Sequence, residues 1–331
     1  MTRFYKESGG DLRSVVDLLH SGELVALPTE TVYGLAGDAL RPKVVRKIFE
    51  VKMRPFIDPL IVHIANYEQV GEIAEPPREL ELLAESFWPG PLTVVLSKKA
   101  KVPDLVTAGL PSVAVRMPSH SYIREVLRRS GLFLAAPSAN PFGYLSPTSA
   151  VHVRDSLGAK APYVVDGGNC THGIESTILG MQNPHEPVLL RPGPICREKL
   201  ETVLGRQINI PSKGLEDEGD VNQIAPGNLK KHYSPHTLVD LFPHGSCVTK
   251  NFAGSEVPTA LVLYQRNNET PANEHCFWLT EDGNPEVAAQ NLFALLRNLD
   301  GGNYGRLLVE MAPSDGLGTA INDRLRRAAA K

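Results

Sequence analysis

Short, nearly continuous apolar runs recur through the first half of the chain: Leu24-Val25-Ala26-Leu27, Leu60-Ile61-Val62, Leu92-Thr93-Val94-Val95-Leu96, Val113-Ala114-Val115 and Tyr163-Val164-Val165. Such runs are too short for helices, and apolar side chains at successive positions describe strands buried on both faces. Helical patterns separate them, so the stretch from Asp11 to about Leu204 reads as an α/β or α+β domain. Thr- and Pro-rich turns between the runs favour a mixed, twisted sheet with flanking helices over a purely parallel one.

The 331 residues exceed one typical domain of about 100 to 200 residues, so two domains are expected. The first covers residues 1–204. A second begins at His236 with Leu238-Val239-Asp240-Leu241-Phe242, Ala260-Leu261-Val262-Leu263-Tyr264 and Cys276-Phe277-Trp278-Leu279. Helices near Pro285 to Leu299 and Gly316 to Ala329 carry i, i+3, i+4 apolar spacing (Val287, Leu292, Leu295, Leu296, Leu299; Leu317, Ile321, Leu325). With Arg306-Leu307-Leu308-Val309-Glu310 between them, they close a β-α-β-α order, and residues 236–331 read as a smaller Rossmann-like α/β domain. Residues 205–235 lack sustained periodicity and hold Pro211, Gly214, an acidic run from Glu216 to Asp220, and His232-Tyr233-Ser234-Pro235. A connection longer than about 12 to 15 residues is either disordered or a functional lid, and both readings stand for this linker.

A formal net charge of -3 opposes a basic nucleic-acid-binding surface as the main business of the chain. Cys170, Cys196, Cys247 and Cys276 are widely separated and form no C-x-x-C pair, so neither a zinc cage nor a disulfide framework is expected. The N-terminus has no apolar signal core, and no apolar run approaches the ~20 residues of a membrane span, which sets a cytoplasmic expectation.

Polar and cationic side chains stand at the ends of the apolar elements, where a rigid scaffold can present them to a ligand. Lys52 and Arg54 close a helix whose buried side is marked by Val44, Val45, Ile48 and Val51, between Pro42 and Pro55. Cations there either cap the helix or reach a ligand. Strand alternation sets Arg116 opposite Val113 and Val115, beside Ala114, and sets His63 against Leu60, Val62 and Ile64. Arg grips a carboxylate with two prongs, whereas a strand histidine is equally a structural residue. Ala135-Ala136-Pro137-Ser138-Ala139-Asn140-Pro141 ends an apolar run with a small polar turn that serves its own hydrogen bonds or a phosphate or ribose. Glycine-rich residues 167–178 and Arg191-Pro192-Gly193 add further permissive loops. The phosphate-binding, dinucleotide-binding, zinc-protease and nucleophile-elbow motifs are all absent, which leaves a cationic, small-residue-lined cleft for an anionic ligand.

Pro28-Thr29-Glu30-Thr31-Val32-Tyr33-Gly34, Lys52-x-Arg54-Pro55, Pro59-Leu60-Ile61-Val62-His63, Trp88-Pro89-Gly90-Pro91-Leu92-Thr93, Val115-Arg116-Met117-Pro118, Ala136-Pro137-Ser138-Ala139-Asn140, Ser176-Thr177-Ile178 and Arg191-Pro192-Gly193 occur in one order. In that order the first domain resembles the YrdC/Sua5 family of L-threonylcarbamoyladenylate synthases. His232-Tyr233-Ser234-Pro235 and the ending from Gly316 to Leu325 are similar to the longer, two-domain Sua5 form.

The resemblance implies that L-threonine, bicarbonate or CO2, and ATP give threonylcarbamoyl-AMP and pyrophosphate, for the N6-threonylcarbamoyl group of adenosine 37 in tRNA. It implies Mg2+ accompanying ATP, downstream tRNA threonylcarbamoyl-transfer machinery as a partner, and no strong direct nucleic-acid binding. Thr31, His63, Arg116 and Ser176 fall on threonine-binding positions. Arg54, Asp58, Ser112, Ser138, Asn140, Ser146, Arg191 and Tyr233 fall on the ATP side, with Lys52 and Arg54 as catalytic phosphate clamps. Asp58 departs from the family's Asn, which removes an amide donor and adds a negative charge, and Ala136 lacks a hydroxyl found in some relatives. Two other readings are an RNA-binding or ribosome-associated module, opposed by the net charge, and a carbamoyl-adenylate-forming enzyme, opposed by the lack of cysteine pairs.

Overall fold

The computed structural model describes residues 2–6, 9–161, 163–211, 232–246, 257–266 and 274–330. In chain order the strands of the first domain are β1 (Arg3–Lys6), β2 (Val25–Leu27), β3 (Gly34–Asp38), β4 (Ile61–His63), β5 (Ala74–Glu75), β6 (Leu92–Lys98), β7 (Ser112–Arg116), β8 (Leu134–Ala135), β9 (Tyr163–Asp166), β10 (Thr177–Gly180) and β11 (Val188–Arg191). They form one eleven-stranded sheet in the order β1-β9-β2-β3-β8-β4-β7-β6-β10-β11, with β5 paired to β6. Parallel pairs such as β4 with β7 alternate with antiparallel ones such as β6 with β7, so the sheet is mixed, as its turns foretold. Helices α1 (Gly9–Ser21), α2 (Pro42–Lys52), α3 (Val70–Ile73), α4 (Glu79–Phe87), α5 (Ser121–Ser130), α6 (Ala150–Leu157) and α7 (Arg197–Leu204) flank it.

Each apolar run of the sequence becomes a strand, while β3 carries no such signature. Its sequence is Gly34-Leu35-Ala36-Gly37-Asp38, and an added Cβ at Gly37 would lie 2.7 Å from side-chain atoms of both Leu24 and Val44. The strand is glycine-rich because α2 packs directly on its backbone. That helix starts with proline in its first turn and stops at Met53, whose left-handed backbone (φ 53°) lets its N–H bond back to Glu50 and Phe49 carbonyls. Its buried side consists of Val44, Val45, Ile48, Phe49 and Lys52, whereas Val51 is only half-buried.

In the second domain β12 (Leu238–Phe242), β13 (Thr259–Gln265), β14 (Cys276–Thr280) and β15 (Arg306–Glu310) form an all-parallel sheet in the order β12-β15-β13-β14. Helices α8 (Pro285–Asp300) and α9 (Gly316–Ala329) cover it, which is the Rossmann-like arrangement the β-α-β-α order implied. Asn284 caps α8 by accepting hydrogen bonds from the Glu286 and Val287 amides. Among the described residues no helix is long and apolar enough to cross a membrane, and Cys170, Cys196 and Cys276 are free thiols. Cys247 lies outside the described residues.

The chain past Leu204 still belongs to the first sheet's edge. Leu189 donates to the Asn209 carbonyl (2.8 Å) and Asn209 donates to the Pro187 carbonyl (2.9 Å), which partners the outer side of β11. The expected linker therefore starts later than Gly205. Its lid reading falls on residues 212–231, outside the described residues, but 232–235 are placed and lie between the domains. Val32, Leu145, Ile174 and Tyr233 share one apolar cluster with Leu292, Phe293 and Leu325 of the second domain. The two backbones run close together at Gly173 (φ 72°), where a Cβ would sit 2.4 Å from the Gln290 Cα in α8. Both its backbone angle and this contact require glycine.

Gly173→Ala is therefore expected to destabilise the folded chain by roughly 2 kcal/mol through left-handed strain and the clash with α8. Chemical denaturation checks this: an unchanged midpoint would mean that the domains do not dock this closely.

Candidate active site

Strand register brings the site together. His63 at the end of β4 and Thr93 near the start of β6 both lie opposite Arg116, the last residue of β7 between them. Ser176 immediately precedes β10, whose Thr177 pairs with Leu92. One rim of the sheet therefore gathers a guanidinium, an imidazole and two hydroxyls.

Arg116 is buried and donates from Nη1 to Thr31 Oγ1 (3.0 Å) and from Nε to the Gly90 carbonyl (3.3 Å), while Nη2 lies 2.7 Å from Glu30 Oε1. Burial would raise the Glu30 pKa, but the charge and hydrogen bond of Arg116, with the Glu30 and Ser119 amides, outweigh it and hold the carboxyl at about 2. The pair stays charged. Thr29 fixes Thr31 in turn: its Oγ1 donates to the Val32 carbonyl (2.6 Å), accepts from the Thr31 and Val32 amides, and shares a 2.9 Å bond with Thr31 Oγ1.

His63 is buried, and its pKa falls to about 3, first from loss of solvent and then from Arg116, against the opposing pull of Glu30. A neutral ring has one N–H. Nδ1 stands 3.3 Å from the Leu134 carbonyl, which takes that proton and leaves Nε2 as an acceptor. Ser176 Oγ lies 2.7 Å from Thr93 Oγ1 and accepts from Arg191 Nη2 (3.1 Å), and its carbonyl accepts from both Nε and Nη2 of Arg191. Burial lowers the Arg191 pKa, and a guanidinium stays protonated in proteins nonetheless.

Arg54 donates to the Asp58 carbonyl (3.1 Å) and the Pro59 carbonyl (2.7 Å), and its Nη2 lies 2.9 Å from Asp58 Oδ2. The departure at Asp58 thus has a structural role: its charge faces Arg54. Lys52 is buried, and Nζ donates to the carbonyls of Ser138 (2.5 Å) and Asn140 (2.6 Å). Its pKa is well below the usual lysine value because of burial and then Arg54, with Asp58 opposing. It caps another loop rather than its own helix. Asn140 Nδ2 bonds the Pro141 and Tyr144 carbonyls, which closes that turn.

These side chains surround a cleft with about 550 Å³ of empty space, its open mouth included. Thr31, His63, Arg116 and Ser176 line it, as do Arg54, Ser138, Arg191 and Tyr233. Lys52, Asp58, Asn140 and Ser146 are not among the lining residues; Lys52 holds the Ser138 carbonyl, Asp58 faces Arg54, Asn140 holds the Tyr144 carbonyl and Ser146 bonds Glu175. Ser112 is not brought to the site: it begins the strand that Arg116 ends, about 13 Å away at the usual strand rise, and pairs with Ser97.

Tyr233 is buried with φ 58°, its ring 5.5 Å from Phe293 and 4.1 Å from His232, and its hydroxyl has no hydrogen-bond partner among the described residues. His232 also lines the cleft, and its pKa is far below the ordinary histidine value because of burial and then the charges of Arg54, Lys52 and Arg191. Sequence reasoning passed over Glu30, Thr93, His232, Glu175 and Arg324 as site residues. Glu175 lines the cleft, Ser146 Oγ donates to its Oε1 (2.5 Å), and Arg324 Nε donates to its Oε2 (2.7 Å). Arg324 lies three positions after Ile321 and one before Leu325, so a charge on the apolar face of α9 was the available signal. Among the described residues no group of three His, Cys, Asp or Glu side chains stands close enough to hold a metal ion.

A two-domain α/β protein with a small-molecule cleft lined by buried guanidinium groups, and closed on one side by a tyrosine from the interdomain segment, is the class that this geometry defines. Residues 17–193 match the Sua5, YciO and YrdC family, described as telomere recombination, and residues 195–330 match the threonylcarbamoyl-AMP synthase C-terminal domain. The chain belongs to the Sua5/YrdC family, in its two-domain form. Threonylcarbamoyl-AMP synthase of Pyrococcus abyssi is 38% identical over 326 residues, covering 96% of this chain and 93% of the relative. That of Bacillus subtilis is 38% identical over 320 residues, covering 94% and 91%. The crystal structure of P. abyssi Sua5 complexed with L-threonine superposes with a TM-score of 0.90 at 37% identity, covering 99% of this chain and 97% of that one.

The buried His63 and Glu30 give the fold a pH dependence. Unfolded, His63 takes a proton near its ordinary 6.5, and folded only near 3, so its contribution is complete above about 6.5 and is lost as pH falls towards 3. Glu30, at about 2 instead of 4.5, adds a loss below about 4.5. Stability should drop between pH 7 and pH 4 by on the order of 3 kcal/mol from His63 alone. His63→Asn should flatten that drop in denaturation titrations; an unaltered slope would contradict the neutral buried imidazole.

Proposed function

We propose that the chain forms threonylcarbamoyl-AMP and pyrophosphate from L-threonine, bicarbonate or CO2, and ATP. The observation that carries this reading is the adjacency, in one cleft, of an amino-acid corner (Thr31, His63, Arg116) and a second cationic wall (Arg54, Arg191). An enzyme joining an amino acid to a nucleotide needs both within one reaction distance. The threonine-bound state of the P. abyssi relative supports the first half.

At the amino-acid corner, Arg116 uses part of its donor set on Thr31, Gly90 and Glu30, and the remaining N–H groups take the threonine carboxylate. His63 Nε2 accepts a hydrogen bond from the amino acid and, being uncharged, does not repel its amine. The neutral amine's lone pair attacks the carbon of CO2 as one C=O π pair moves onto oxygen, and the nitrogen releases a proton to solvent to give a carbamate. A carbamate oxygen then attacks the α-phosphorus of ATP as the bond to the pyrophosphate oxygen breaks. Little covalent work falls to the protein in such a displacement; orientation and neutralisation of oxygen charge do most of it. Arg54 and Arg191 supply fixed positive charge, and Ser138 and the Tyr233 hydroxyl supply polar contacts to the nucleotide. Mg2+ carried on ATP would supply further shielding of phosphate charge, and among the described residues no group of three His, Cys, Asp or Glu side chains could hold it. Tyr233 and His232 cover the cleft from the interdomain side, which keeps water from a hydrolysable mixed anhydride. The product then passes to tRNA threonylcarbamoyl-transfer machinery in the cytoplasm.

Pyrophosphate release by the purified chain should require L-threonine, bicarbonate and ATP together; ATP turnover indifferent to threonine would sink this reading. Arg116→Ala should raise the threonine KM by roughly 10- to 100-fold, the worth of a charged hydrogen-bond pair, and the ATP KM far less. Equal effects on both would remove Arg116 from the carboxylate.

A further inference from the structure

Arg324 belongs to the second domain, yet its guanidinium is among the largest fully buried side chains of the molecule and ends at the wall of the first domain's cleft. Nε meets Glu175 Oε2 at 2.7 Å, Nη2 donates to the Pro192 carbonyl at 3.1 Å, next to Arg191, and the guanidinium carbon lies 5.2 Å from the centre of the Tyr233 ring. On its own helix Nη1 meets Asp323 Oδ2 at 2.5 Å, and Asp323 Oδ1 holds Arg327 Nε at 3.0 Å. The result is a chain of alternating charge, Glu175, Arg324, Asp323 and Arg327, that crosses from one domain to the other.

Its far end is the carboxylate of Glu175, which lines the cleft. A negative charge there opposes any polyanionic ligand. Ser146 gives that carboxylate one hydroxyl bond but no charge; its ion-paired counter-charge is Arg324, with Arg191 attracting it from the cleft side. We propose that Arg324 is a positioning residue through which the docked second domain cancels the Glu175 charge and so permits the cleft to hold a nucleoside triphosphate. The inference rests on the reading that this cleft takes ATP. It gives the second domain a chemical task at a site it does not line: undocking α9 strips Glu175 of its counter-ion and releases the face on which Tyr233 packs, so domain docking and triphosphate affinity are coupled.

A double-mutant cycle in the full chain tests this, with binding of a non-hydrolysable ATP analogue and, separately, of L-threonine measured by calorimetry. Arg324→Gln should weaken binding of the analogue by about tenfold or more, the effect of one uncompensated charge at a partly screened distance, and L-threonine binding much less. Glu175→Gln added to it should restore the analogue affinity to within about threefold of wild type, because the neutral pair leaves no charge to cancel. A double variant as weak as Arg324→Gln would assign Arg324 to packing alone and overturn the proposal, as would analogue affinity unchanged in Arg324→Gln. Should Arg324→Gln fail to fold, Glu175→Gln decides by itself: with Arg324 retained it should bind the analogue at least as tightly as wild type, and weaker binding overturns the proposal. A wild-type chain that binds L-threonine but neither ATP nor the analogue overturns both this inference and the nucleotide reading beneath it.

Discussion

Arg116 and Glu30 meet at 2.7 Å with side chains only 4% and 5% exposed, and much of the molecule is arranged to make that burial tolerable. A guanidinium taken from water without a partner is expensive, and breaking such a pair leaves a charge that costs about 3 to 5 kcal/mol. The same solution recurs around the cleft: Arg54 faces Asp58, and Arg324 faces Glu175. Arg191 is held by the carbonyl and hydroxyl of Ser176. Each cation therefore keeps a fixed direction, which is the condition under which charge stabilises a developing oxyanion without reorganising.

Because the pairs come from different elements, they also join those elements. Glu30 lies between β2 and β3, Arg116 at the end of β7, Glu175 before β10 and Arg324 in α9. Gly173 lets α8 lie against the loop that carries Glu175, and Tyr233 packs on Phe293 of α8 and Arg324 of α9. The second domain is thus a roof over the first domain's loops. Its apolar contacts exclude water, and its charge reaches the cleft wall.

The scaffold was legible in the sequence where apolar periodicity was strong. The paired runs around Leu60, Leu92 and Val113 became β4, β6 and β7, and their alternation correctly put Arg116 and His63 on the face opposite the core valines. Strand β3 was hidden because close packing by α2 demands glycine where a strand signal would need a larger residue. The motif residues divided by depth. Those on the sheet rim line the cleft, whereas Lys52, Asp58, Asn140 and Ser146 are not among its lining residues, a distinction that sequence order does not encode. Ser112, given to the nucleotide side by the resemblance, stands four residues of extended chain from Arg116, at the other end of β7. Glu30 and Arg324 were overlooked because a charge's partner is set by the fold, and their partners are 86 and 149 residues away in sequence.

The central claim is that one cleft, built on buried ion pairs, seats an amino acid against Arg116 and a nucleotide against Arg54 and Arg191. A crystal structure of this chain with L-threonine and a non-hydrolysable ATP analogue tests it most directly. The account predicts the threonine carboxylate within hydrogen-bond distance of Arg116 with the Glu30 contact intact, the amino acid facing His63 Nε2, and the α-phosphate between the amino group and Arg54. Threonine bound away from Thr31, His63 and Arg116, or a nucleotide seated outside this cleft, would contradict it.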